Sequence, residues 1–142
     1  MKCITKLFIG FFIIGLLLVP SCVKDPNLIP HVNISFNISP ESGNLVHVGG
    51  YEYYTGGVFG IVVYRLDMLN FCAYDRACSH DWQDGDSAYV VYDPAFLHLK
   101  CKTCGSTFNI LNGYPMKGSK AEFPLRIYQA RLINELTLHI SN

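Results

Sequence analysis

The sequence from residue 32 onward predicts an all-β domain. In the segment HVNISFNI, an apolar side chain stands at every second position from Val32 to Ile38, which is the pattern of a half-buried strand. No segment after Cys22 sustains the period of a helix, and the intervening loops are rich in Gly, Pro, Asn and Asp. We therefore expect short strands joined by turns.

Four further segments have strand character. GGVFGIVVYRL begins with glycine and is rich in β-branched residues, FCAYD is a short apolar run, and FLHLK and LTLHI alternate. The tyrosines near these segments are expected in the core or on sheet faces, because aromatic residues at strand spacing usually serve packing: Tyr51, Tyr53, Tyr54, Tyr64 and Tyr74.

The N-terminal residues have the pattern of an export signal. A basic start precedes an apolar run from Leu7 to Val19, which is shorter than the ~20 residues that span a bilayer. The ending VPSC resembles a bacterial lipoprotein processing box, although Pro20 departs from its usual residues. We interpret residues 1–21 as a signal peptide, Cys22 as the lipidated residue, 22–31 as a tether and 32–142 as the domain. An uncleaved N-terminal anchor is the alternative, and both place the domain on a membrane outside the cytoplasm.

Length and charge exclude some functions. A chain of 142 residues allows one domain with a modest core. Lys and Arg number 11, as do Asp and Glu, and loss of Lys2 and Lys6 with the signal leaves nine against eleven. Without a cluster of basic residues, nucleic acid is not an expected partner.

The residues best suited to bind a metal lie in two short predicted turns. The exported domain retains Cys72, Cys78, Cys101 and Cys104, and outside the cytoplasm disulfides are the first expectation. A bridge between Cys101 and Cys104 would remove little chain entropy, so metal ligation explains their spacing better. Together with His80, three cysteines then form a set of four soft ligands. Cys72 lies within FCAYD and is predicted to be a buried free thiol.

From about Val58 to its end, the chain resembles a Rieske-type iron–sulfur domain. The Cys-x-His box of that family matches Cys78 to His80 in ACSHDW, and its second box matches CKTCGSTF. The resemblance implies an antiparallel β-sandwich in which two loops form a small subdomain that binds a [2Fe–2S] cluster. Its implied ligands are Cys78, His80, Cys101 and Cys104, where Cys104 stands in place of the second histidine of the family.

The resemblance also assigns supporting roles. Gly105 would let the second loop approach the iron more closely, and Ser106 would donate a hydrogen bond to a sulfur. An ordinary turn hydrogen bond is the alternative role of Ser106, as plain packing is for Trp82, which would otherwise shield the cluster. Residues 118–124 correspond to the loop that closes over the cluster. The family's disulfide between the ligand loops is not expected, because its positions hold Gln83 and Thr103.

Three functions remain open from the sequence. The first is single-electron transfer through a [2Fe–2S] cluster, with an unidentified protein as redox partner. The second is a zinc site with the same four ligands, since three cysteines and one histidine form a normal zinc set. The third is a Rieske-like binding module without a cluster. An enzyme is not expected, because the chain has no room for a separate catalytic domain, and the location is the periplasm or cell surface.

Overall fold

A computed structural model describes residues 28–142. The predicted signal peptide, the predicted lipidation site Cys22 and the tether up to residue 27 lie outside the described residues. Within residues 28–142, no helix is both long and apolar enough to cross a membrane.

The described residues confirm the all-β prediction. Their helices are two 3₁₀ turns, Gly43–Val46 and Trp82–Asp84. Their strands are β1 Ser35–Ile38, β2 Tyr51–Tyr54, β3 Ile61–Arg65, β4 Phe71–Asp75, β5 Val90–Asp93, β6 His98–Cys101, β7 Thr107–Asn109, β8 Ile127–Asn134 and β9 Thr137–Ser141.

The strands form two antiparallel sheets. The large sheet has the order β1-β9-β8-β4-β3-β2, and the small sheet has the order β5-β6-β7. β4 and β8 are neighbours in the large sheet, paired through Ala73 and Tyr128. Everything between them, residues 76–126, therefore leaves the large sheet and returns to it. We call these residues the insert; it contains the small sheet and both predicted ligand turns.

The large sheet has its own core and two buried charges. The apolar core on one face comprises Leu45, Ile61, Val63, Phe71, Ala73, Tyr128, Leu138 and Ile140. The Asp75 carboxylate accepts hydrogen bonds from the backbone N–H groups of Val58, Phe59 and Ala77 and from the Tyr128 hydroxyl. Burial and the bond to Asp75 raise the pKa of Tyr128. The Arg65 guanidinium donates to five backbone carbonyls, those of Pro40, Leu45, Val46, Asp67 and Met68.

Aromatic contacts fix the insert against the large sheet. Tyr92 of β5 packs on Tyr51 and Tyr64, with ring centroids 4.6 and 5.4 Å apart. The Tyr74 hydroxyl donates to the carbonyl of Ile110 at 2.8 Å. Gly113 allows this close approach, because at its φ of +73° an added Cβ would lie 2.8 Å from the Tyr74 ring. The positions of the ligand turns are thus set by a packed interface.

Candidate metal centre

The first ligand turn follows β4. Ala77 pairs with Tyr89 in an isolated bridge, and the N–H of Cys78 donates to the carbonyl of Ala88. The chain then makes one helical turn, in which the N–H of Trp82 donates to the carbonyl of Cys78 at 3.0 Å. The N–H of His80 points at the Cys78 sulfur. The turn thus fixes the Cys78 side chain in a buried position at its start.

The second ligand turn follows β6 and has the same form. The N–H of Gly105 donates to the carbonyl of Cys101 at 3.2 Å. The N–H groups of Thr103 and Cys104 point at the Cys101 sulfur. Gly105 has a φ of +76° with open space around it, so the left-handed backbone is what requires glycine there.

The two turns bring three cysteines and one aspartate together. The sulfurs of Cys78, Cys101 and Cys104 and a carboxylate oxygen of Asp81 all lie within 4.8 Å of one another. Cys78 Sγ is 3.6 Å from Cys104 Sγ, and Cys101 Sγ is 3.5 and 3.8 Å from the two oxygens of Asp81. We call these four residues the ligand group. All its cysteines are free thiols.

The pKa values of Cys78 and Cys101 affect each other, because the two side chains are hydrogen-bonded. The hydrogen bond from the Cys78 thiol, together with the N–H groups of Cys104 and Thr103, lowers the pKa of Cys101 to about 6, against the opposing effect of burial. The hydrogen bond to Cys101, burial and the neighbouring Asp81 raise the pKa of Cys78. The Cys78 thiol and the backbone N–H groups thus favour the thiolate form of Cys101, which is the form that binds a metal.

Ser106 is held by the loop that the family resemblance places over the cluster. Its hydroxyl oxygen accepts the N–H groups of Lys120 and Ala121 at 3.1 and 3.0 Å and lies 3.1 Å from Cys104 Sγ. The two N–H groups occupy both lone pairs of the oxygen, so its proton is left for the sulfur. A hydrogen bond in that direction suits a metal-bound thiolate, which has no proton to give. Ser106 thus contacts the sulfur of Cys104, which the resemblance implies as a ligand.

The same loop contacts the first ligand turn. The Ser79 hydroxyl donates to the carbonyl of Phe123. Residues 118–124 thus bond to Ser79 in the first turn and to Ser106 directly after the second, at the place where the resemblance implies a covering loop. The second turn is also tied to the chain that follows the first, since the Thr103 hydroxyl donates to the carbonyl of Ser87 at 2.8 Å.

His80 is placed differently from the other predicted ligands. Its side chain is exposed, and the ligand group contains Asp81, its neighbour, in its place. Asp81 was not predicted, although Cys78 and Asp81 repeat the spacing of Cys101 and Cys104. Cys72 is a free thiol as predicted, but it is half-buried and lies 3.7 Å from the carbonyl oxygen of Leu111. Trp82 is half-buried, and its buried Nε1 has no acceptor among the described residues.

The ligand group suits a thiolate-binding metal. Both iron and zinc are bound by cysteine thiolates in proteins, and carboxylate oxygen is also an accepted zinc ligand. The three sulfurs come from two turns that are supported by backbone N–H groups. The resemblance implies that Cys78 and Cys101 bind one iron and that His80 and Cys104 bind the other. Here, Cys104 approaches Cys78 and His80 stands outside the group.

Comparisons with known proteins support the fold. No protein-family model matches the chain, and no curated protein matches it. A chain in the complex of reduced oxygenase and oxidized ferredoxin in carbazole 1,9a-dioxygenase is 18% identical, with a TM-score of 0.51; the match covers 76% of this chain and 93% of that one. This likeness confirms the Rieske-like fold predicted from the sequence.

Two other solved structures are similar at lower scores. The ferredoxin of carbazole 1,9a-dioxygenase from Nocardioides aromaticivorans IC177 is 20% identical over 66% of this chain and 86% of that chain, with a TM-score of 0.48. A chain from Mycobacterium tuberculosis, described as an NADH-dependent nitrite reductase small subunit, is 11% identical over 79% and 97%, with a TM-score of 0.49.

Proposed function

We propose that this protein is an electron-transfer module that binds iron at Cys78, Cys101 and Cys104. The observation that carries the proposal is the meeting of three free thiols from two turns within a Rieske-like fold. Iron bound there would supply a one-electron carrier, and the family resemblance implies a [2Fe–2S] cluster as its form. Electron transfer rather than catalysis is proposed, with an unidentified redox protein as partner.

The arrangement of the site supports this function. Cys78 and Cys101 are buried, whereas Cys104 is half-buried and is flanked by the exposed residues Thr103 and Gly105. A metal bound here would be shielded on its inner side and close to the surface at Cys104. A partner docking on that side would therefore have a short path for the electron.

The test is purification without air, followed by metal analysis and reduction. We expect iron, visible absorption from sulfur-to-iron charge transfer, and its reversible bleaching by one electron per centre. Cys101→Ser should lose the iron, whereas the matched variant Cys72→Ser should retain it, because Cys72 lies outside the ligand group. Iron lost equally from both variants, or absent from the wild type, would contradict the proposal.

A structural zinc site is the second candidate. It is favoured by the compactness of the ligand group, whose donor atoms all lie within 4.8 Å of one another. Zinc without iron in the purified protein, and no reversible reduction, would support this function over electron transfer.

We also propose that the domain is exported and tethered to a membrane of the bacterial envelope through lipid on Cys22. The support is the sequence of residues 1–22, with its short apolar run and its processing box. Cys22→Ala should leave an unprocessed precursor without lipid. Normal labelling of that variant by a radioactive fatty acid would contradict the proposal.

A further inference from the structure

We infer that the ligand group binds a single metal ion, with the Asp81 carboxylate rather than His80 as its fourth ligand. This inference rests on the proposed function only in taking the site to bind metal, and it holds for iron and for zinc. It assigns to Asp81 a role that the resemblance does not imply.

The two ligand turns are closed by the same kind of hydrogen bond. In each turn, the N–H of the fifth residue donates to the carbonyl of the first, Trp82 to Cys78 and Gly105 to Cys101. In one turn of that form, the first and fourth residues lie on the same side, while the third points elsewhere. Cys78 and Asp81 therefore correspond to Cys101 and Cys104.

The third residue of each turn faces solvent. His80 and Thr103 occupy this position, and both side chains are exposed. Asp81, in contrast, is only 6% exposed, which is unusual for a carboxylate that has no cationic partner among the described residues. Its oxygens accept hydrogen bonds from the thiol of Cys101, at 3.5 and 3.8 Å, and from the thiol of Cys78.

Two of the six distances between donor atoms fit the edges of a tetrahedron around one ion, and all six are at most 4.8 Å. With metal–sulfur bonds of about 2.3 Å and metal–oxygen bonds of about 2.1 Å, the edges of a tetrahedron are about 3.8 Å between sulfurs and about 3.6 Å from sulfur to oxygen. The observed Cys78–Cys104 sulfur distance is 3.6 Å, and the Cys101 sulfur lies 3.5 and 3.8 Å from the Asp81 oxygens.

A two-iron cluster would require a different arrangement. It holds its four ligands as two pairs on two separate ions, so ligands of different pairs stand further apart than the edge of one tetrahedron. Here all four donor atoms lie within 4.8 Å of one another. Cys78 and Cys104, which the resemblance assigns to different irons, are among the closest.

The first measurement uses the wild-type full chain purified without air. We expect one metal ion per chain, no acid-labile sulfide, and X-ray absorption from three sulfur ligands and one oxygen ligand. Two irons with two sulfides per chain, or scattering from a bound imidazole, would overturn the inference and leave the proposed function intact. Absence of any metal would overturn both.

The second measurement compares variants by competition for Zn²⁺ with a chromophoric chelator. Asp81→Asn should weaken zinc binding by more than about 100-fold, beyond the effect of losing a hydrogen-bond partner of a ligand. Asp84→Asn, which changes an exposed carboxylate in the next turn, and His80→Ala should leave the affinity within about threefold. Asp81→Cys should restore binding, which distinguishes a lost ligand from a misfolded turn. Weakening by His80→Ala together with unchanged binding by Asp81→Asn would refute the assignment.

Discussion

Asp75 and Asp81 are both buried carboxylates, but their surroundings differ. Asp75 lies at the end of β4, is fully buried, and accepts hydrogen bonds from three backbone N–H groups and one hydroxyl. Asp81 lies six residues later, where its oxygens face the thiols of the ligand group. Cysteine thiols are weak donors, so they compensate poorly for the burial of a charge.

The difference distinguishes the large sheet, whose buried charges have partners, from the insert, whose acidic groups are suited to a bound cation. The large sheet supplies partners for its own buried charges, Asp75 and Arg65, from within the protein. The insert gathers acidic groups that would repel one another when ionised, and a cation would stabilise them. We therefore expect the large sheet to be stable without metal and the ligand turns to depend on it.

The largest loss of stability is expected from Asp75→Ala. The change would leave four buried or partly buried donors without an acceptor, and should lower the free energy of unfolding by about 4 kcal/mol. Asp75→Asn should be nearly as harmful, because each oxygen accepts two hydrogen bonds and an amide NH₂ cannot. Urea unfolding measures both, with Asp67→Ala as the control, since Asp67 is exposed. A loss no greater than that of the control would contradict the description of Asp75.

Metal removal is expected to act on the insert alone. Chelation should withdraw about 3 kcal/mol of stabilisation if the metal is present at about 100 times its dissociation constant. Hydrogen exchange should then rise at Trp82 and Gly105, whose N–H groups close the two turns, and remain slow at Val63 in the large sheet. Equal acceleration in both regions would show that they do not differ in metal dependence.

Two glycines should respond differently to alanine. Gly113→Ala should cost about 2 kcal/mol, because the new Cβ would meet the Tyr74 ring at 2.8 Å and the backbone is left-handed. Gly105→Ala should cost about 1 kcal/mol, because its surroundings are open and only the left-handed backbone opposes the change. Thermal unfolding of the two metal-loaded variants provides the measurement. The reverse order would contradict the packing between the insert and Tyr74.

A modest effect on metal affinity is expected from Ser106→Ala. Loss of the hydroxyl removes one hydrogen bond to Cys104 and leaves the N–H groups of Lys120 and Ala121 without their acceptor, which should weaken metal binding by about tenfold. Ser119→Ala is a matched control, since Ser119 bonds to Thr107 and not to the ligand group. Equal weakening by both variants would show that the loop acts only through general stability.

The sequence predicted strands where burial and pattern agree. FCAYD coincides with β4 because that strand is apolar and largely buried. β8 was not identified from its own pattern, because its alternation is blurred: small Ala130 faces inward, whereas Ile127 and Ile133 are about half exposed. β5 and β7 were also missed, as short strands whose pairing with β6 a local pattern does not show.

The candidate site was predicted in part, because its cysteines have a recognisable spacing and its aspartate does not. The spacing of Cys78, Cys101 and Cys104 identified three members of the ligand group, since cysteines are rare and their pattern is specific. Asp81 could not be recognised by residue type, because aspartate is common on surfaces and its burial follows from the turn. The available signal was the repeated Cys-x-x spacing in both turns. His80 as a ligand stays a prediction that the metal measurements test.

The placement of the insert between β4 and β8 has a consequence for the order of folding. All members of the ligand group lie within 27 consecutive positions, 78 to 104. The large sheet, in contrast, is completed by pairing Ser35 with Ser141, contacts at opposite ends of the described chain. Long-range pairings close slowly because the intervening chain must lose entropy first. During synthesis or refolding, the thiols therefore come within reach of one another before the sheet that supports them is closed, and a metal captured early would organise the insert ahead of the remaining fold.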